Sequence, residues 1–389
     1  MRWMAAFAIP LAVAALPAVA RPMMVTPGLN APRGVFTRVG PSVKAHKRGD
    51  GLVNGGRLLA SECAPPKGWC KVILPDRMEA FASAEFLTVV GDKFDFRVSF
   101  VDVGGGQAAV LTSGRSEIII DGGRSPRALV RYLKRKELLR HPVALVIITN
   151  PEADHWRGIQ TLFRARAPIS ELWESGYTPT CTVVPGLKGF CRAFNHLERT
   201  RICSPATSCS DLAQSLATKR PLYLPAAPEF GITLLTANSN PDQSRLCSYR
   251  IGGCSIVVKV EVAGATFLFA SDIIGKETDD NENTGLAYDE AALIKNYARY
   301  LRANVLVAPN HGYETSSTMQ FIKAVNPKFV ILSADPERPA ADSVRRRYEE
   351  RPATVLVTYE HPSTTTGDIE CKLDMDQQVI CAHERLEPR

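Results

Sequence analysis

From residue 95 onward, short β-branched apolar runs alternate with longer stretches whose apolar positions recur every three or four residues. That alternation predicts strands interleaved with helices, an α/β domain spanning 95–385. Strands are expected at 95–103, 108–112, 117–120, 143–148, 169–173, 232–236, 255–262, 266–272, 303–309, 329–333 and 354–358, with a closing hairpin over 369–381. Helices are expected at 125–140, where Ser125-Pro126 gives an N-cap followed by proline, at 156–166 and at 288–302. Residues 21–90 hold short apolar segments separated by Gly and Pro, the pattern of a small all-β domain. A Pro-, Gly- and Cys-rich stretch near 176–228 breaks the alternation and reads as an insertion that walls or covers a site.

Polar residues that can carry chemistry cluster where these strands end. The continuous run Val143–Ile148 reads as a strand buried on both faces, and Asn150, Glu152, Asp154 and His155 follow it within six positions. Asp102, Asp121, Asp272 and the pair Asn310-His311 also stand just past apolar strands. Ligands of α/β sheets collect at the carboxyl ends of strands, so these residues point to one shared cleft. Carboxylates and imidazoles converging there suit a divalent cation. The plainer alternative for the 150–155 turn is a helix start with Asp154 as its N-cap.

The turn Thr149-Asn150-Pro151-Glu152-Ala153-Asp154-His155-Trp156-Arg157-Gly158 resembles the signature of the metallo-β-lactamase superfamily, in the variant found in the hydrolase domain of ComEC-type competence proteins. That variant runs roughly Thr-His-Pro-Asp-Ala-Asp-His-x-x-Gly. Further blocks are similar in the same order: Asp102-Val103-Gly104-Gly105-Gly106-Gln107, Asp121-Gly122-Gly123, Cys254-Ser255, Phe267–Asp272, Leu306–Gly312 and Pro327–Ser333. The resemblance implies an αββα sandwich with a metal cleft on one edge. By it, Asp154, His155, Asp272 and His311, with Glu152, hold the metal, and Asp154 and His155 carry the catalysis. Asn150, Asn310, Asp102 and Asp121 then lie in contact with substrate or behind the ligands. Asn150 and Asn310 stand where the family has histidines, Glu152 where it has Asp, and Arg338-Pro339 where it often has His-Pro. Asn is a poor zinc ligand, so a single divalent ion (Zn, Mn or Mg) is expected rather than a pair.

Two functions follow from that pattern. One is a metal-dependent hydrolase of a phosphodiester, DNA included; the other is an inactive binding protein at the cell envelope that needs no metal. The missing histidines and the competence-type pattern disfavour a drug-hydrolysing β-lactamase. Within 21–90, Leu29-Asn30, Arg38–Ser42, Gly68–Val72 and Phe86-Leu87 resemble a bacterial SH3-like barrel, which implies a cell-wall or protein ligand; its later Gly-Trp-Val is absent, Glu79-Ala80-Phe81 standing there.

Residues 1–20 begin with Arg2, continue apolar and end in Ala18-Val19-Ala20, the pattern of a secretory signal peptide. No later run of eighteen apolar residues follows, so membrane transport of the full competence channel is not expected. Ten cysteines lie beyond it in close pairs, Cys63/Cys70, Cys181/Cys191, Cys203/Cys209, Cys247/Cys254 and Cys371/Cys381. An even count behind a signal peptide predicts disulfides and a periplasmic or secreted protein. The helix at 125–140 carries Arg127, Arg131, Lys134, Arg135, Lys136 and Arg140 against Glu137, fit for phosphates or simply a solvated face.

Overall fold

The computed structural model describes residues 23–27, 31, 34–48, 58–63, 68–74, 78–91, 96–174, 201–203, 216–219, 221–224, 226–237, 255–276, 288–374 and 378–385. The leader, Leu29-Asn30 and Cys181, Cys191, Cys209, Cys247 and Cys254 lie outside the described residues, as does the side chain of Cys203.

The N-terminal part is a five-stranded antiparallel sheet in the order β4-β3-β2-β1-β5, formed by β1 (Met23–Pro27), β2 (Leu58–Glu62), β3 (Trp69–Ile73), β4 (Glu79–Ser83) and β5 (Leu87–Gly91). Its core is built from small residues, among them Val25, Ala60, Cys70, Val72, Ala80 and Ala82, and Cys63 is disulfide-bonded to Cys70.

The rest is a sandwich of two mixed sheets. The first has eight strands in the order β11-β10-β9-β8-β7-β6-β19-β20. It contains β6 (Phe96–Phe100), β7 (Ala109–Ser113), β8 (Ser116–Ile120), β9 (Leu145–Ile147), β10 (Glu171–Trp173), β11 (Arg201–Cys203), β19 (Thr365–Leu373) and β20 (Val379–Arg385). The second runs from β12 to β18 in sequence order: β12 (Leu222–Leu224), β13 (Ala227–Ala237), β14 (Ile256–Val262), β15 (Ala265–Phe269), β16 (Val305–Val307), β17 (Phe329–Leu332) and β18 (Thr354–Val357). In both sheets an antiparallel half passes into a parallel one, at β8/β9 in the first and β15/β16 in the second. Strands β11 and β12 lie in the stretch read as an insertion and extend one sheet each.

Side-chain alternation assigns the layers. In β9, Leu145 and Ile147 face the second sheet, while Val146 and, just past its end, Ile148 face helices. Between the sheets Phe96 meets Phe267 edge-on at 6.1 Å and Phe100 lies 6.0 Å from Phe269. Such aromatic pairs add about 0.5–1.5 kcal/mol each beyond simple burial. Helices α1 (Ala128–Arg135) and α2 (Ala153–Arg164) cover the outer face of the first sheet through Leu129, Leu133, Trp156, Ile159 and Leu162. Helices α3 (Tyr288–Leu301), α4 (Met319–Val325) and α5 (Asp342–Glu349) cover the second through Leu293, Phe321, Ile322 and Val344. The order is helix, sheet, sheet, helix: the αββα architecture expected from the sequence.

Three local readings change. Helix α1 is shorter than expected, because Glu137 and Leu139 adopt positive φ, although Ser125 Oγ still accepts the Ala128 N–H at its start. Arg135 and Lys136 pair with Asp368 and Glu384 of the C-terminal hairpin, so part of the basic helix docks the fold together. Helix α2 begins three residues earlier than expected; Glu152 is its N-cap without a side-chain bond, and Asp154 lies inside the first turn rather than at the cap. Cys371 and Cys381 sit opposite each other on β19 and β20 and are bonded. No described helix is long and apolar enough to cross a membrane.

Candidate metal centre

The cleft forms where β8, β9, β15 and β16 end, and the chain turns sharply at each site. Asp121, Ser271, Asn310 and His311 all have positive φ, between 47° and 59°. Non-glycine residues held there cost of order 1–3 kcal/mol each and persist where the surroundings over-determine them. Here Asn310 N–H is held by Ser271 O at 2.8 Å, and Ser271 Oγ donates to Thr149 Oγ1 at 2.9 Å. Helix α2 is seated by glycine contact: a Cβ on Gly158 would lie 2.0 Å from Gly122 O, and Gly122 N–H is bonded to His155 O at 2.6 Å.

His155, Asp272 and His311 converge so that their ligating atoms all lie within 4.8 Å of one another. His155 is fully buried between two carboxylates, Nδ1 at 2.9 Å from Asp121 Oδ2 and Nε2 at 2.9 Å from Asp272 Oδ2. Asp121 is itself fixed by the Thr149 N–H at 2.7 Å and the Thr149 hydroxyl at 2.6 Å. His311 Nδ1 donates to the Ser333 carbonyl at 2.9 Å, which directs the Nε2 lone pair inward. That lone pair faces Asp272 Oδ1 at 3.4 Å and Asp154 Oδ2 at 3.8 Å.

Asp272 Oδ1 is buried without a hydrogen-bond partner, so its 3.4 Å approach to His311 is electrostatic proximity only. A buried, unpaired carboxylate oxygen facing a nitrogen lone pair is costly unless a cation lies between them. Tetrahedral ligands at about 2.1 Å from a metal stand about 3.4 Å apart. The spacing of His311, Asp272 and Asp154 therefore fits a divalent ion. Each histidine also gives its outer nitrogen to a protein acceptor, the second contact that orients metal-ligating imidazoles.

The charges agree with this reading. Burial opposes a proton on His155, but Asp272 and Asp121 outweigh it and raise the imidazole well above its ordinary value. Burial pushes Asp272 up, yet His155 and His311 more than offset that and hold its carboxyl below the usual range. Glu152 is pushed up to about 7, first by burial and then by Asp272 and Asp154. A cation at this point replaces the proton on His155 and relieves repulsion among the acids.

Of the residues singled out in the sequence, Asp154, His155, Asp272 and His311 come together, Glu152 lies within their field, and Asp121 stands directly behind His155. The Asn150 amide and the Asn310 amide nitrogen are bonded to other protein groups. Asn150 Oδ1 accepts the Glu152 N–H at 2.9 Å and its Nδ2 donates to Ser255 Oγ at 3.3 Å, while Asn310 Nδ2 donates to Thr315 Oγ1 at 2.7 Å. Asp102 bonds outside the cluster: its Oδ1 accepts the Gly104 N–H at 3.1 Å, its backbone N–H goes to Asp368, and it packs beside Gly367. Thr149, Ser255, Ser271 and Ser333 were missed as site residues. Their sequence signal was small polar residues ending or flanking strands that are otherwise wholly apolar.

No protein-family model matches the chain, and no curated protein matches it. Among solved structures it is similar to the metallo-beta-lactamase fold protein YhfI from Bacillus subtilis, at 12% identity over 68% of this chain and 96% of that one, with a TM-score of 0.41. It is similar to Igni18, a metallo hydrolase from Ignicoccus hospitalis, at 17% identity over 74% and 100% with a TM-score of 0.40. A third is the short form of human tRNase Z, at 14% identity over 67% and 95% with a TM-score of 0.36. Likenesses this distant leave the fold to the layering described above, and the chemistry to the site itself.

Proposed function

We propose that the protein is a metal-dependent hydrolase with one divalent ion held by Asp154, His155, Asp272 and His311, acting on a phosphodiester such as DNA. The observation that carries this is the inward-facing set of His155 Nε2, His311 Nε2 and the Asp272 carboxylate, with both imidazoles oriented from behind by Asp121 and the Ser333 carbonyl. A divalent ion bound there supplies Lewis acidity and a nucleophilic water at neutral pH. Glu152, poised near 7, accepts or holds a proton at the cleft. Asp121 fixes the His155 tautomer, and the closed wall behind it keeps solvent from the ligand nitrogens.

The apolar leader and the cysteine pairs support a secreted or periplasmic location, and the sequence similarity supports a ComEC-like hydrolase. In this reading the N-terminal sheet is SH3-like and binds cell wall or another protein, and the stretch near 176–228 walls the cleft. A second reading has its own observation: the Asn150 amide and the Asn310 amide nitrogen are bonded to protein partners, as in a relict site that only binds.

The experiment is elemental mass spectrometry of the protein purified without chelator, beside Asp272→Asn. About one equivalent of Mn or Zn, absent from the variant, supports the hydrolase and directs a screen of nucleic acids and phosphodiesters. A chain that takes up no metal after dialysis against Mn²⁺ and Zn²⁺ overturns it in favour of the binding protein.

A further inference from the structure

The rim of the cleft carries two exposed arginines, Arg124 after β8 and Arg338 after β17, and neither forms an ion pair with a described carboxylate. Two acids flank Arg338 in sequence, Glu337 beside it and Asp335 three residues before, and neither forms an ion pair with its guanidinium; Asp335 holds its backbone. Its Oδ1 and its carbonyl accept the Arg338 backbone N–H at 2.7 Å and 3.2 Å, fixing the turn and leaving the guanidinium for other contacts. The guanidinium meets the Tyr313 side chain instead. The Tyr313 ring lies 5.8 Å from the ring of His311, a ligand of the metal centre. The glycine loop draws the rim together. A Cβ on Gly105 would lie 2.5 Å from Asp335 Oδ2 and 3.5 Å from Arg124 Cδ, and one on Gly106 would lie 1.9 Å from Asp154 O. Arg124, Arg338 and Tyr313 therefore border the same opening as Asp154 and His311.

Charge explains what such a rim does. Two carboxylates, Asp154 and Asp272, cancel a divalent cation, so the centre itself gives an anion little net attraction. Any anionic substrate must gain its attraction from beyond the ligands. A guanidinium offers paired N–H donors to a phosphate, and a phenol adds one O–H donor. We propose that Arg338 and the Tyr313 hydroxyl form an anion clamp over the metal centre that holds a non-bridging oxygen of a phosphodiester. Arg124 adds positive charge from the other side of Gly105. The clamp rests on the reading of the cleft as a hydrolase site, and it narrows the substrate to esters with a negative charge beside the reacting bond.

The test uses metal-loaded full-length protein and two cleavage-resistant probes of equal size, phosphorothioate-linked dithymidine, which is anionic, and methylphosphonate-linked dithymidine, which is neutral. Calorimetry measures binding of both to the wild type, Arg338→Ala, Arg338→Lys and Tyr313→Phe, with metal content determined for each. The wild type is expected to prefer the anionic probe by about tenfold or more, and Arg338→Ala to bring the two within about twofold at unchanged metal content. Arg338→Lys keeps an intermediate preference, and Tyr313→Phe weakens the anionic probe alone by about three- to tenfold. Equal binding of both probes by the wild type, or an unchanged preference in Arg338→Ala, overturns the clamp. Natural phosphodiester-linked dithymidine separates the two ideas. Preference lost in Arg338→Ala without any cleavage overturns the hydrolase and keeps the clamp; cleavage with an unchanged preference does the reverse.

Discussion

Replacing Asp121 by Asn changes one atom of a fully buried side chain and should weaken metal binding while leaving the protein folded. Asp121 accepts three hydrogen bonds: from the Thr149 N–H, the Thr149 hydroxyl and His155 Nδ1. An Asn in the same rotamer keeps Oδ1 for the Thr149 N–H but places an NH₂ against Thr149 Oγ1 and His155 Nδ1. The hydroxyl can rotate; the imidazole must become an acceptor at Nδ1 and move its proton to Nε2. That proton then points at Asp272, where the metal lone pair is required. Loss of the carboxylate behind a ligating histidine costs about 10–100-fold in metal affinity, or about 1.4–2.7 kcal/mol. Folding should lose only about 1–3 kcal/mol, the cost of weakening hydrogen bonds to a charged acceptor. The assay pairs competitive metal titration with urea unfolding of the metal-free protein, and Phe96→Leu, between the sheets, serves as a destabilised control with its site intact. An Asp121→Asn protein that binds metal within about threefold of wild type would refute the tautomer argument.

Metal binding should also depend steeply on pH. The raised pKa of His155 contributes stability that is fully present below its unfolded value near 6.5 and fades as pH rises through the higher folded value. Asp272 contributes above its unfolded value near 3.8 and loses that contribution as pH falls through its depressed one. Because the metal must displace the proton on Nε2, affinity should rise by about tenfold per pH unit until the folded His155 pKa is reached, read from thermal shifts with Mn²⁺ or Zn²⁺; a flat profile counts against His155 as a ligand. Gly158→Ala would drive a methyl to 2.0 Å from Gly122 O, so it should cost about 1–3 kcal/mol or more and reduce metal loading, measured by unfolding and elemental analysis. Removing the Cys371–Cys381 bridge by Cys371→Ser with Cys381→Ser should destabilise by about 2–3 kcal/mol without changing metal content, since it closes a short hairpin away from the ligands.

The strands and the cleft were legible because apolar runs and chemistry-bearing residues meet at single boundaries in the sequence. Val143–Ile148 reads as a strand buried on both faces, and it is divided between the inter-sheet core and the helix layer. Helices α4 and α5 were not read. The seven residues of α4 make two turns, too few for a periodic signal, and its marker was a cap: Thr318 accepts the Phe321 N–H and Asn326 ends the helix in a left-handed conformation. In α5 only Val344 and Tyr348 are buried, one helical turn apart amid arginines. The four candidate ligands stand at strand ends, where the sequence shows them, but the contacts that orient them were not legible there. Thr149 to Asp121 and Ser333 to His311 join residues 28 and 22 positions apart, and no local pattern encodes such pairs. Asp102 also follows a strand, and its hydrogen bonds tie that turn to Gly104 and to Asp368 of the C-terminal hairpin.

The two asparagines bear on how many ions the proposed site would hold. A second metal beside the first needs donors directed inward from the positions of Asn150 and Asn310; both ends of the Asn150 amide and the Asn310 nitrogen are bonded to protein groups. Asn150 caps the Glu152 N–H with its oxygen and reaches Ser255 with its nitrogen, and Ser255 Oγ in turn accepts the Asp272 N–H at 3.2 Å. The amide is thus part of the frame that positions Asp272. Asn310 ties its nitrogen to Thr315, whose carbonyl also accepts the N–H groups of Gly275 and Lys276. Both asparagines therefore brace the loops that carry the candidate ligands. An Asn150→His substitution would not rebuild a two-metal site; it would remove the link through Ser255 to Asp272, so it should weaken the existing site rather than add a second. Metal content after that substitution decides the point: a fall below the wild-type level agrees with the bracing role, and a rise toward two equivalents contradicts it.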